Sequence, residues 1–224
     1  MSNIWRVFLL LSILISLDIN IIFRSNMIEK IIHQVWVGPR KPPFKWLNSW
    51  RDMHPDWEYH LWTDKNLPSL KNRMSYILAP EWERKADILR YEVLYNHGGI
   101  YIDADTLCLK RIDKLLDIEQ DVFAVEEGVD NLIANGVIGC SKRNKFMKKI
   151  INNVRHDLSI PAWVATGPAF LTSMINKEKP DIKIYPAHYF WPYHHSSAEE
   201  PNPKSSKCKN SYGLHYWGTT RGRY

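Results

Sequence analysis

Asp103 and Asp105 stand two apart in GGIYIDADTLCLK (98–110), at the end of a short apolar run that follows a double glycine. About one Asp-x-Asp is expected by chance in a chain like this, so the bare pair says little. Its setting says more. Residues i and i+2 of an extended chain point to one side, so two carboxylates at a strand end can face one small volume. Such groups repel, and a hard divalent cation, Mn2+ or Mg2+, offsets the repulsion while bridging to phosphate oxygens. Upstream, Asp87 and Arg90 share one helical face within KADILRYEVL. Their apolar neighbours place that face at half burial, where the pair can bind hydroxyls and phosphate. In HYW (215–217), His215 is a candidate metal ligand and Trp217 a donor suited to a phosphate oxygen.

The elements that must hold these residues follow from patterning. KIIHQVWVG reads as a buried strand closed by Gly38, FKWLNSWRDMHP as a short helix, and WEYHLW as a second strand, with Asp64 a cap or turn residue after it. PEWERKADILRYEVLYNHGG is the clearest helix, with an apolar stripe at Ala86, Leu89, Val93 and Leu94 and a stop at Gly98. IYID is the strand that delivers the aspartates, and TLCLK reads as its continuation or hairpin partner. DVFAVEE and NLIANGVIGCS are two more strands. An amphipathic helix is expected over 144–158, capped by Asn144, and another over 166–177 with Pro168 in its first turn. DIKIYP is a short strand, and 189–209, aromatic and then Ser/Pro/Lys-rich, reads as a mobile loop. Strands alternating with helices imply an α/β domain with a mixed central sheet.

The chain has 224 residues, 45% of them hydrophobic, enough for one domain with a real core. Its net charge of +6 suits an anionic ligand or surface. No Lys/Arg-dense stripe and no zinc-finger spacing occur, which excludes nucleic acid as the expected partner. Three cysteines without CxxC spacing give no disulfide framework. Ten tryptophans and eleven tyrosines fit sugar stacking or an aromatic core equally well. The first residues differ in kind: the stretch 4–23 is apolar apart from a few interruptions and lacks a small-residue cleavage site. It reads as a signal-anchor or interfacial helix in a segment 1–26. A catalytic domain is expected over 27–224, membrane-associated through that anchor or else cytoplasmic.

Taken together, IIHQVWVG (31–38), WEYHLWTD (57–64), ADILRYEVLYNHGGIYIDADTLCLK (86–110), NGVIGCSK (135–142), TGP (166–168) and HYW (215–217) resemble glycosyltransferase family 32. This is the family with the DXD-containing sugar-binding region. The resemblance implies a GT-A fold, a nucleotide-sugar donor, a divalent metal, and retention at the anomeric carbon. It implies that Asp105 is the direct metal ligand, that Asp103 touches ribose, sugar and metal-bound water, and that His215 completes the metal shell. Asp87 and Arg90 become sugar-hydroxyl contacts, Tyr101 a pocket wall, Asn135 a sugar contact and Trp217 the holder of the β-phosphate. By similarity to related toxin glucosyltransferases, Trp36 stacks on the base. Arg221 is expected, from position alone, to add positive potential at the leaving phosphate. The acceptor is a glycan, glycolipid or polysaccharide.

Two other readings fit parts of this pattern. A carbohydrate-binding protein without turnover would use the tryptophans but needs no metal–diphosphate site. A phosphohydrolase would use Asp-x-Asp as nucleophile, but wants a threonine one position later than Thr106.

Overall fold

The computed structural model describes residues 27–155, 157–218 and 220–222. The expected anchor within 1–26 falls outside them. Among the described residues, no helix is long and apolar enough to cross a membrane.

In chain order the elements are β1 (Ile31–Val35), α1 (Phe44–Met53), β2 (Glu58–Trp62), α2 (Arg73–Leu78), α3 (Trp82–His97), β3 (Gly99–Ile102) and β4 (Thr106–Cys108). There follow β5 (Val122–Glu126), β6 (Ile133–Cys140), α4 (Lys145–Asn152), α5 (Ala162–Ala165), α6 (Pro168–Glu178), β7 (Lys183–Tyr185) and β8 (Gly213–His215). Six strands form one mixed sheet in the order β2-β1-β3-β6-β5-β7. β1 runs parallel to β2 and β3, β6 lies antiparallel to β3 and β5, and β5 is parallel to β7. The mixed α/β sheet is thus as the patterning predicts.

Alternation along β3 assigns the two faces. Tyr101 joins a core with Leu89, Val93, Ile150 and Phe170 from the helices. Ile100 and Ile102 join the opposite core, with Trp50, Phe123 and Phe190. Neighbouring residues on a strand point to opposite faces, so one short strand feeds both layers.

Three sequence expectations are corrected. TLCLK neither continues β3 nor forms a hairpin with it. The chain turns at Asp103, where the Thr106 N–H donates to the Asp103 carbonyl (3.1 Å), and β4 pairs antiparallel with β8 in a separate two-stranded sheet. The partner strand is remote in sequence, so no local pattern announces it. The helix expected over 144–158 ends at Asn152. Asn144 does cap it, accepting from the Met147 N–H, but the Asn153 amide bonds the Lys149 carbonyl and competes with helix continuation. Finally, the first part of 189–209 is not a mobile loop. Phe190, Trp191 and Tyr193 are buried, and the Tyr189 and Phe190 carbonyls accept from Tyr212 and His215 N–H groups. Burying three large rings outweighs what loop-like composition suggests.

α3 is buried more completely than one apolar stripe implies. Arg84, Asp87, Arg90 and Glu92 are all inside, each with partners. Arg84 pairs with Glu81 and donates to the Asp157 and Ile160 carbonyls, while Glu92 accepts from the Asn72 backbone and side chain. The helix closes at Gly98, φ 73° and ψ −164°, whose N–H donates to the Leu94 carbonyl.

Gly98 also fixes a buried histidine. The His33 Nε2–H donates to the Gly98 carbonyl (2.8 Å), and its Nδ1 accepts from the Trp62 indole (3.2 Å). That arrangement holds the ring neutral. Burial, with smaller contributions from His60 and His97, lowers its pKa to about 3. A depressed folded-state value means the unfolded chain binds the proton first. The stabilisation is complete above the unfolded value of about 6.5 and is lost as pH falls from there toward 3. Urea midpoints should fall between about pH 7 and pH 5, at up to about 1.4 kcal/mol per pH unit for this group. A wild-type midpoint that falls no more steeply than that of His33→Gln would remove His33 as the cause.

Candidate active site

The site lies where β1 and β3 end beside α3. β3 carries the chain to Asp103, and the turn that follows presents Asp105. The two carboxylates converge because of that turn, not through the extended i,i+2 geometry that the spacing suggests. β8 then zips onto β4 with His215 opposite Thr106, which brings an imidazole to both acids. His215 Nε2 lies 3.0 Å from Asp105 Oδ1 and 3.5 Å from Asp103 Oδ2. Asp105 Oδ2 accepts from the Gly218 N–H at 2.6 Å. Candidate ligand atoms of Asp103, Asp105 and His215 all lie within 4.8 Å of one another. Burial works against a charged His215, but Asp105 and Asp103 outweigh it and push its pKa up to about 10. Two carboxylates and one imidazole fit Mn2+ or Mg2+, which favour oxygen-rich sets.

Behind the acids, α3 and β6 build a buried polar network. Arg90 lies 3.2 Å from Asp103 Oδ1 and 3.1 Å from Asp87 Oδ1, and its guanidinium sits 4.4 Å from the Tyr101 ring centre. It also donates to the Asn135 carbonyl. Tyr101 OH donates to Asp103 Oδ1 (2.8 Å). Asp87 accepts from the Asn135 amide (2.7 Å) and the Thr166 hydroxyl (2.8 Å). Burial raises the Asp87 pKa to about 6, against the lowering effect of Arg90 and those donors. Arg90 stays charged, because the Asp103 and Asp87 carboxylates outweigh its burial. β6 passes so close that a Cβ on Gly136 would lie 2.5 Å from Asp103 Oδ2.

These residues line a cavity of about 740 Å³. Nine of the ten residues expected at the site, Trp36, Asp87, Arg90, Tyr101, Asp103, Asp105, Asn135, His215 and Trp217, border it. Two details differ from expectation. The Trp217 indole N–H donates to the Tyr193 carbonyl (2.8 Å), so it is already engaged rather than held ready for a phosphate. Arg221 is not among the lining residues, and its guanidinium instead ties down the His194 and Ser197 carbonyls. Position near HYW in sequence does not place its charge in the cavity.

Glu127, Gly136 and Thr166 were not predicted for this site. Glu127 follows the end of β5, lines the cavity and has its pKa raised chiefly by burial. Its one sequence signal is the acid pair at the end of DVFAVEE, which reads only as a strand terminus.

Comparison with known proteins agrees with this geometry. The family described as glycosyltransferase sugar-binding region containing DXD motif matches residues 44–122. Inositol phosphoceramide mannosyltransferase 3 of Schizosaccharomyces pombe is 31% identical over 185 residues, covering 75% of this chain and 50% of that protein. Mannosyl phosphorylinositol ceramide synthase CSH1 of Saccharomyces cerevisiae is 32% identical over 162 residues, covering 66% and 42%. The chain thus spans about half the length of the curated relatives it matches. Among solved structures, the PaToxG glycosyltransferase superposes with a TM-score of 0.54 at 18% identity, over 68% of this chain and 70% of that one. That likeness speaks for the fold alone, which is of the GT-A type. The matched region and the relatives support a family-32-like glycosyltransferase with the DXD motif.

Proposed function

We propose that the protein is a metal-dependent, retaining hexosyltransferase that moves a sugar from a nucleoside-diphosphate donor to a glycan or glycolipid acceptor. The observation that carries this is the convergence of Asp103, Asp105 and His215 beside the buried Asp87–Arg90–Asn135 network in one cavity. A cation held by those three side chains would neutralise charge growing on the departing phosphate. Tyr101 and Arg90 fix the Asp103 carboxylate before the donor arrives, so no reorganisation is needed at that point. Arg90 adds fixed positive potential from a dry position. Asp87 and Asn135 present oriented polar groups to sugar hydroxyls, and Trp36 at the cavity wall offers a face for the base. Front-face attack, with the departing phosphate taking the acceptor's proton, suits retention without a protein nucleophile.

The names of the relatives favour mannose and an inositol-phosphoceramide-like acceptor, and the apolar stretch 4–23 is proposed to hold the enzyme near such a lipid. The test is donor turnover by the purified chain with Mn2+ or Mg2+, across GDP-mannose, UDP-glucose, UDP-galactose and UDP-N-acetylglucosamine. One donor should be consumed in a metal-dependent way. Consumption of none, with saturable sugar binding retained, would favour a binding protein.

Gly136 gives a sharper check. Gly136→Ala should fold, because its new methyl meets only the far end of the Asp103 side chain. Moving that carboxylate by about 1 Å should cut turnover by about 10²-fold. An unchanged rate would show that the Asp103 position does not matter.

A further inference from the structure

We infer that the folded domain docks on an anionic phospholipid bilayer through the outer faces of α2 and α4. Apolar side chains of α2 enter the interface, and basic side chains on and around α4 face the headgroups. Six basic residues and no acid fall within 142–155: Lys142, Arg143, Lys145, Lys148, Lys149 and Arg155. In the linear sequence apolar residues interrupt them, so no basic stripe is legible. The helix sorts them. α4 buries Phe146, Met147, Ile150 and Ile151, and all six basic residues stay exposed. Lys149 meets Glu178 at 2.6 Å, while Arg143 lies over the Tyr95 ring and bonds the Asn96 side chain. Lys145 and Lys148 have no acidic partner among the described residues.

α2 continues this surface with a different chemistry. The Asn72 amide donates to the Ile151 carbonyl (2.8 Å) and Lys71 to the Asn152 side chain, so the start of α2 sits on the end of α4. Lys71 and Arg73 add two exposed cations there. Of its own residues α2 buries Tyr76 alone. Met74, Ile77 and Leu78 are 64%, 52% and 59% exposed, which is a large apolar display for one short helix. Apolar side chains beside a band of lysines are what an interfacial surface needs. The former reach the acyl boundary, and the latter are drawn to anionic headgroups. Nucleic acid would use the same charges but leave Met74, Ile77 and Leu78 in water.

The surface ends at the donor cavity. The Lys85 ammonium donates to the Tyr76 and Ile77 carbonyls (2.8 and 3.2 Å), which seats the end of α2 on the first turn of α3. That turn carries Trp82, which is exposed and lines the cavity, as does Trp163. Tryptophan is favoured where bilayer meets water. What docking accomplishes rests on the proposed transfer reaction: a lipid-borne acceptor would meet the cavity at the bilayer surface. The docking itself does not depend on that reaction.

The test reads single positions, so it gives an answer whether or not residues 4–23 also hold the chain on vesicles. Cys108, Cys140 and Cys208 are buried, so a cysteine introduced by Leu78→Cys takes an environment-sensitive nitrobenzoxadiazole label selectively. A second full-length chain is labelled through Lys114→Cys, an exposed position beside Leu115 in the opposite core layer. Each is mixed with vesicles of phosphatidylcholine, alone or with about 30% phosphatidylserine. The label at 78 should shift to the blue strongly with phosphatidylserine and weakly without it, and the label at 114 should not shift. Adding Arg73→Gln, Lys145→Gln and Lys148→Gln should raise the lipid concentration needed for the shift by about 10²-fold, roughly fivefold per charge. Thermal melts check that these surface variants fold. The inference fails if the label at 78 does not shift, if both labels shift alike, or if neither phosphatidylserine nor the three substitutions matter. Salt-sensitive binding of a DNA duplex by the same lysines, with no shift on vesicles, would assign the face to nucleic acid and overturn it as well. No donor is present, so failure here leaves the transfer reaction standing.

Discussion

Asp105→Asn should lower donor turnover by on the order of 10³-fold while leaving the fold unchanged. The substitution is nearly isosteric. An asparagine oxygen can still accept from the Gly218 N–H, so the C-terminal turn keeps its anchor. What disappears is the negative charge facing His215 and, with it, half of the carboxylate pair that would hold the cation. The expected result is normal circular dichroism and almost no turnover at any Mn2+ concentration. Near-wild-type turnover with metal present would remove Asp105 from the reaction. Weak turnover restored by high metal would instead mean that Asp103 and His215 suffice to hold the ion.

Gly98→Ala should have the largest effect on stability, about 2–6 kcal/mol. Two independent costs add. Its backbone, φ 73° and ψ −164°, lies in a region essentially reserved for glycine, and an alanine there is strained by about 1–3 kcal/mol. The new Cβ would also fall 1.9 Å from Glu29 Oε2 and 2.7 Å from the Lys142 backbone nitrogen. The carboxylate can swing aside, but the Lys142 nitrogen belongs to the chain leaving β6. Overpacking of this kind costs about 1–3 kcal/mol. A urea titration reads the sum as a lowered midpoint with an unchanged slope. A midpoint within error of wild type would mean that the α3–β3 junction relaxes freely, and the strain argument would fail.

Gly98 also shows how much of the site could be read in advance. The helix carrying Asp87 and Arg90, the glycine that stops it and the strand leading to Asp103 are consecutive, so local patterning reached all of them. Asn135 came only from the resemblance, and His215 stood as a candidate ligand with no sign of its partners, because their approach depends on β6 and β8 pairing with strands far away in sequence. Glu127 escaped notice for the same reason: an acid at a strand end looks solvated, and only the fold buries it in the cavity wall. The buried charges of α3 were partly visible. Hydropathy marked them as one polar edge of an apolar stripe, whereas an ion pair and two carbonyls hold Arg84 inside and the Lys71 and Asn72 N–H donors hold Glu92. The aromatic run after Tyr189 was misjudged because its composition resembles a loop, and only tertiary packing shows that Phe190 and Trp191 are core.

The pairing of β4 with β8 sets an order of events during synthesis. Asp105 and the Gly218 that bonds it are 113 positions apart. While a ribosome is still making the intervening residues, the sheet around β1, β3 and β6 can form and the Arg90 network can close. The two aspartates remain without their imidazole until β8 leaves the exit tunnel. A nascent chain can therefore be folded through much of its core and still be inert. A chain cut short before that strand lacks both His215 and the Gly218 N–H that hold Asp105.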